Sequence, residues 1–98
     1  MIRGGSVYMI TTNHNTALYI GVTTDLLSRT IQYQKYYPKS FTAQYNVCKL
    51  VYYEHHGSIV EAVAREKQLK RWSRIKKERL INAMNPKWQD LFEDIKDW

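Results

Sequence analysis

Ser6-Val7-Tyr8-Met9-Ile10-Thr11, the polar cluster Thr12-Asn13-His14-Asn15-Thr16, and Ala17-Leu18-Tyr19-Ile20-Gly21-Val22 form the stretch that decides the fold. The two outer pieces are rich in β-branched and aromatic residues, which suit a pleated, half-buried strand. The piece between them is turn chemistry, because Asn and Thr side chains satisfy local backbone groups. Two strands around a short polar loop predict a hairpin.

Downstream the period changes. Thr24 is placed to cap a helix with Asp25 in its first turn, where a carboxylate meets the positive end of the helix dipole. Leu27 and Ile31 stand one turn apart, and Leu26 widens the stripe. The helix is expected to run to about Tyr36 and stop at Pro38. After a connector over 40–46, the stretch Lys49 to Glu54 reads as a third strand, broken at Gly57. Ser58 with Glu61 three residues on is a capping box for a helix to about Arg71. Ser73 opens another helix to about Met84, and Asn85-Pro86 is read as the cap and first position of a short terminal one. Three strands cannot bury two faces alone, so helices must cover them. The expectation is a single α+β domain over residues 1–98, a three-stranded, mostly antiparallel sheet flanked by helices.

The 98 residues hold 15 Lys and Arg against 9 Asp and Glu, a net charge of +6, which favours a polyanionic partner. One cysteine excludes a disulfide framework and a Cys-rich zinc site. No apolar run approaches the roughly 20 residues that cross a bilayer, and Met1 to Ile10 is too polar for a signal peptide. A cytoplasmic protein with no membrane partner is expected. There is no phosphate-binding glycine loop, no HExxH and no nucleophile elbow. The charge is concentrated: Arg65, Lys67, Lys70, Arg71, Arg74, Lys76, Lys77 and Arg79 fall in one short stretch, while the tail is acidic. That stretch is expected to face phosphates, although many basic helices are only solvated surface.

Glu66 breaks the pattern of its own helix. It follows Ala62 by four and Val63 by three, so it lies on the inward stripe, where a carboxylate is costly unless paired, protonated or holding a cation. A buried ion pair with an arginine is the structural alternative. Arg29 and Tyr33 stand one turn apart and reach one region. Tyr8 and Tyr19 alternate with aliphatics, and their phase decides whether the hydroxyls face a core or a wet boundary.

Together these residues resemble the GIY-YIG nuclease superfamily. Tyr19-Ile20-Gly21 is the second half of the name motif, and Ser6-Val7-Tyr8 stands in place of the first half with its tyrosine kept. Arg29 falls where the family has its arginine, Tyr33 one turn later where members carry His or Tyr, and Glu66 at the metal-binding glutamate. Asn85-Pro86-Lys87-Trp88 resembles the closing motif of small stand-alone members, with Asn82 or Asn85 answering to the family asparagine. The resemblance implies hydrolysis of nucleic-acid phosphodiesters, DNA by preference, either without sequence readout or directed by the structure of the nucleic acid. In that reading Glu66 holds one Mg²⁺ or Mn²⁺, Arg29 neutralises phosphoryl charge, and Tyr8 or Tyr19, assisted by Tyr33, orients or deprotonates water. Gly21 and Asn85 are structural or active-site positions. Arg65, Lys67, Lys70, Arg71, Arg74, Lys76 and Lys77 would hold the backbone. Family nucleases commonly carry a separate targeting domain, so the resemblance leaves three expectations open here: weak binding, a preference for DNA ends or junctions, or a protein partner supplying targeting. The alternative is a nucleic-acid-binding module or repair adaptor that does not cut.

Overall fold

The computed structural model describes the chain except residues 1–3, 13, 14, 16 and 41–46, and describes backbone alone at 34–40, 47 and 48. The elements run β1 (Gly5–Thr12), β2 (Leu18–Thr23), α1 (Leu26–Ser40), β3 (Val47–His56), α2 (Ile59–Lys70), α3 (Arg74–Met84) and α4 (Phe92–Ile95). The connector expected over 40–46 falls, beyond Ser40, outside the described residues, as does His14. The sheet has the order β2-β1-β3, and both pairings are antiparallel. The α+β architecture is as read from the sequence.

The central strand explains the layering. Every residue of β1 is buried, so it has no solvent face, and successive side chains serve opposite layers. Val7 and Met9 pack with Val51, Tyr52, Ala62, Leu69 and Ile81, under α2 and α3. Tyr8 and Ile10 pack with Leu26, Leu50, Leu91 and Ile95, under α1 and α4. The register of β3 shifts between Met9 and Ile10: Met9 faces Tyr52 but Ile10 faces Leu50. Val51 is the extra residue of that bulge, which lets Val51 and Tyr52 serve the same layer.

Two caps follow the sequence reading. The Ser58 side chain accepts from the Glu61 amide and that of Ser73 from the Lys76 amide. Three boundaries differ. The cap of α1 is Asp25, not Thr24: its carboxylate accepts from the Ser28 amide at 3.1 Å and the Ser28 hydroxyl at 2.9 Å. Thr23, not Thr24, braces it, its hydroxyl accepting from the Asp25 amide at 3.1 Å. The helix also continues through Pro38 to Ser40. Proline fixes φ at a helical value, and a single forfeited hydrogen bond so near the end does not stop the turn. Asn85 closes α3 and does not open α4: its amide donates to Ile81 O, and four residues of α4 begin only at Phe92.

Candidate active site

The site is built around the Tyr8 phenol. Tyr8 pairs directly with Gly21 across the β1–β2 hairpin, so their side-chain positions share a face. A β-carbon on Gly21 would lie 2.5 Å from Tyr8 Cζ and closer still to Oη. Glycine here is the space the ring occupies. The ring is 4 % exposed. Its Oη lies 3.4 Å from Tyr33 Oη, and the rings meet edge to face with centroids 6.2 Å apart. Ser6, where the motif has glycine, is an ordinary buried strand residue outside the positive-φ region, so the substitution is accommodated.

Helix α1 supplies two of the groups around that phenol. The Asp25 cap sets its start, and Arg29 and Tyr33 follow one turn apart on one face. Hydrogen bonds from Ser28 hold the Asp25 carboxyl below its usual range. Arg29 is exposed, and its guanidinium acts on Tyr8 through space. Helix α2 supplies Glu66 from the other side of the sheet. Its side chain is only 15 % exposed and pairs with Lys70 Nζ at 3.5 Å. Among the described residues it is thus an inward carboxylate paired with a lysine of its own helix, and not with the arginine of the structural alternative.

Burial does most to push the Tyr8 phenol above the ordinary tyrosine value, and its hydrogen bond and charge coupling to Tyr33 add to that. The Arg29 guanidinium pulls it down, and the Glu66 carboxylate pushes it up. Tyr8 is therefore neutral at physiological pH, a fixed phenol that donates and accepts hydrogen bonds. Tyr19 lies on the same face, two residues before Gly21, and is 44 % exposed at the sheet edge. Tyr33 thus touches the Tyr8 phenol, the charges of Arg29 and Glu66 act on it in opposite directions, and Tyr19 lies on the same face at the exposed sheet edge.

Among the described residues no group of three or more His, Cys, Asp or Glu side chains could cage a metal ion. A lone inward carboxylate fits a different kind of site. Mg²⁺ is commonly held by one or two carboxylates and completed by water and substrate phosphate oxygens. Lys70, which now faces Glu66, is more than half exposed, and such pairs are weak enough for a divalent cation to displace.

The basic stretch divides. Arg65 is committed to the protein: Nε donates to Glu54 Oε2 at 3.0 Å, Nη1 to Gln68 Oε1 at 2.8 Å, and its guanidinium lies 5.2 Å from the Trp72 ring centroid. Arg74 donates from Nε to Glu78 and from Nη2 to Asn15 O, each at 2.8 Å. Lys76 Nζ lies 6.0 Å from the Trp72 ring. Lys67 and Arg71 are exposed and Lys77 partly so, and no ion pair engages them among the described residues.

Asn85 is 5 % exposed and stitches the loop to the sheet. Its Nδ2 donates to Val51 O at 3.1 Å and Gln89 O at 2.8 Å, and its Oδ1 accepts from the Gln89 amide at 3.1 Å. Those bonds occupy it structurally. Asn82 Oδ1 accepts from the Trp88 indole at 2.7 Å. Reading the motif did not find Glu54, although Tyr52, Glu54 and His56 alternate along β3 and so share a face.

The sequence pattern of the GIY-YIG catalytic domain matches residues 4–79. The fold is similar to that of the UPF0213 protein BH0048 from Bacillus halodurans, solved by solution NMR. The TM-score is 0.56 and the identity 26 %, covering 88 % of this chain and 90 % of that one. No curated protein matches the sequence. No helix among the described residues is long and apolar enough to cross a membrane.

Proposed function

The chain belongs to the GIY-YIG family of nuclease-type catalytic domains, and on that premise we propose that it is a metal-dependent endonuclease acting on DNA without sequence readout. The observation that supports this reading is the setting of the Tyr8 phenol, with the Tyr33 hydroxyl 3.4 Å away and the opposed charges of Arg29 and Glu66 both acting on it.

Glu66 would hold Mg²⁺ or Mn²⁺, which when bound polarises the phosphate and stabilises the leaving oxygen. Arg29, permanently cationic and forked, binds phosphoryl oxygens and neutralises charge that develops on them. Tyr8 orients the attacking water with a phenol whose direction is fixed by Gly21 beneath it and Tyr33 beside it. Tyr19 meets the strand at the rim. Lys67, Arg71 and Lys77 hold phosphates and carry no sequence information. DNA ends or junctions, as met in repair, are the substrates such a small contact surface would favour, with a partner protein supplying targeting.

One observation favours the rival reading of a binding module: the Tyr8 proton is held more tightly than that of free tyrosine, which works against a base. Incubation with supercoiled plasmid and branched DNA in Mg²⁺, Mn²⁺ or EDTA decides between them. The nuclease reading requires nicking that EDTA abolishes and Glu66→Ala removes while DNA binding persists. Binding with no strand cleavage in any metal leaves the rival.

A further inference from the structure

A second group of polar side chains lies between β3 and α2, away from the Tyr8 phenol. Its centre is Glu54, 17 % exposed. The Glu54 carboxylate accepts from Tyr52 Oη and His56 Nε2, each at 2.5 Å, and from Arg65 Nε at 3.0 Å. Burial alone would raise the Glu54 carboxyl, but these three donors outweigh it and hold the group below the usual carboxylate range. It is therefore a fixed anion. Arg65 is equally held, with its other contacts to Gln68 and Trp72.

The geometry of α2 gives this link a purpose. The fully buried residues of the helix are Ala62 and Leu69. They are seven apart, two turns, and so fall on nearly one line along the helix. A single line of apolar contact lets a helix roll about that line. An anchor off the line stops the roll, and Arg65 is such an anchor, tied to β3 and about 100° around the helix from its neighbour Glu66. We propose that Glu54 is a positioning residue: through Arg65 it sets the roll of α2 and so fixes where the Glu66 carboxylate is presented. The inference rests on the reading of Glu66 as the carboxylate that holds the divalent cation.

The test uses the whole chain, with Mn²⁺ as probe. Mn²⁺ affinity is measured by calorimetry for the wild type, Glu66→Ala, Glu54→Gln and Arg65→Lys, with circular dichroism to check folding and plasmid cleavage to separate kcat from KM. Supporting residues of metal ligands are worth about 10–100-fold in affinity or activity. Glu54→Gln is expected to weaken Mn²⁺ binding by about tenfold or more and to lower kcat alike, with KM for DNA within about twofold of wild type. Arg65→Lys keeps the charge but loses the fork and the stack, so it should fall between, and it carries the test if Glu54→Gln does not fold. Folded variants that bind Mn²⁺ as the wild type does overturn the inference, whatever their melting temperature. So does a rise in KM with Mn²⁺ affinity unchanged, which would make Arg65 a phosphate contact. Wild-type protein that binds Mn²⁺ through Glu66 but leaves plasmid intact removes the nuclease reading and not this one. Wild-type protein with no Glu66-dependent Mn²⁺ binding overturns both.

Discussion

Tyr8 lies directly across the hairpin from Gly21, with its phenol in the space a β-carbon at position 21 would fill. The third residue of Tyr19-Ile20-Gly21 thus makes room for a catalytic candidate on the neighbouring strand. Gly21→Ala would set Cβ 2.5 Å from Tyr8 Cζ, in a paired strand that cannot step aside. Overpacking of this kind costs about 1–3 kcal/mol. A fall in melting temperature on the order of 5–15 °C is expected for a domain of this size, with loss of cleavage even where the protein stays folded. A variant as stable and active as wild type would mean that the ring has another place to go.

Tyr8→Phe separates the hydroxyl from the ring. The phenyl group keeps the packing against Leu26 and Tyr33, and the lost bond to Tyr33 is worth about 1 kcal/mol. If the hydroxyl aligns or deprotonates the attacking water, kcat should fall by about 10²-fold or more. Tyr33→Phe should cost less, since it removes only the partner. Equal, small losses in both would leave Arg29 and Glu66 as the whole of the chemistry.

The raised phenols make a prediction about alkali. Burial is the main cause at Tyr8 and at Tyr52, with Tyr33 adding at the first and Glu54 at the second. Each folded phenol holds its proton more tightly than an unfolded one, so each contributes stability that is complete below pH about 10, the unfolded value. That contribution is lost as pH rises from there through the folded values. Thermal unfolding between pH 8 and 11.5 should show a melting temperature falling steeply above pH about 10, less steeply in Tyr8→Phe. A flat profile would contradict the burial of these hydroxyls.

What could be read in the sequence was what local residues decide. The alternation in β1 and β2 specifies strands, and Ser58 and Ser73 specify where α2 and α3 begin. The phase of Tyr8 and Tyr19 was not readable, because it depends on strand register, and register shows only when Gly21 is seen opposite Tyr8. Arg65 looked like its basic neighbours because its acceptor, Glu54, is 11 residues away on another element. Asn85-Pro86 carries the same signature whether Asn85 ends one helix or starts another, and the choice is made by Val51 O, 34 residues distant.

Asn85 therefore predicts a stability effect without a binding effect. Asn85→Ala leaves Val51 O and the Gln89 backbone without their side-chain partners. Unsatisfied buried groups cost about 1–3 kcal/mol each, so the melting temperature should drop clearly. Mn²⁺ affinity of the folded variant should match wild type. A specific loss of metal binding at full stability would return Asn85 to the active site.

The divided basic stretch predicts which cations touch nucleic acid. Each neutralised duplex phosphate contributes about 0.9 to the slope of log affinity against log salt. Lys67 and Arg71 are exposed and unengaged by ion pairs among the described residues, whereas Arg65 is spent on Glu54. Lys67→Gln and Arg71→Gln keep good helix formers at the end of α2 and remove only charge. Each should reduce the slope by about one and weaken binding equally for unrelated sequences. Arg65→Gln should leave the slope unchanged, because its guanidinium already has its anion. If Arg65→Gln flattens the slope and the other two do not, the strand runs over the β3 side of α2 rather than its exposed face.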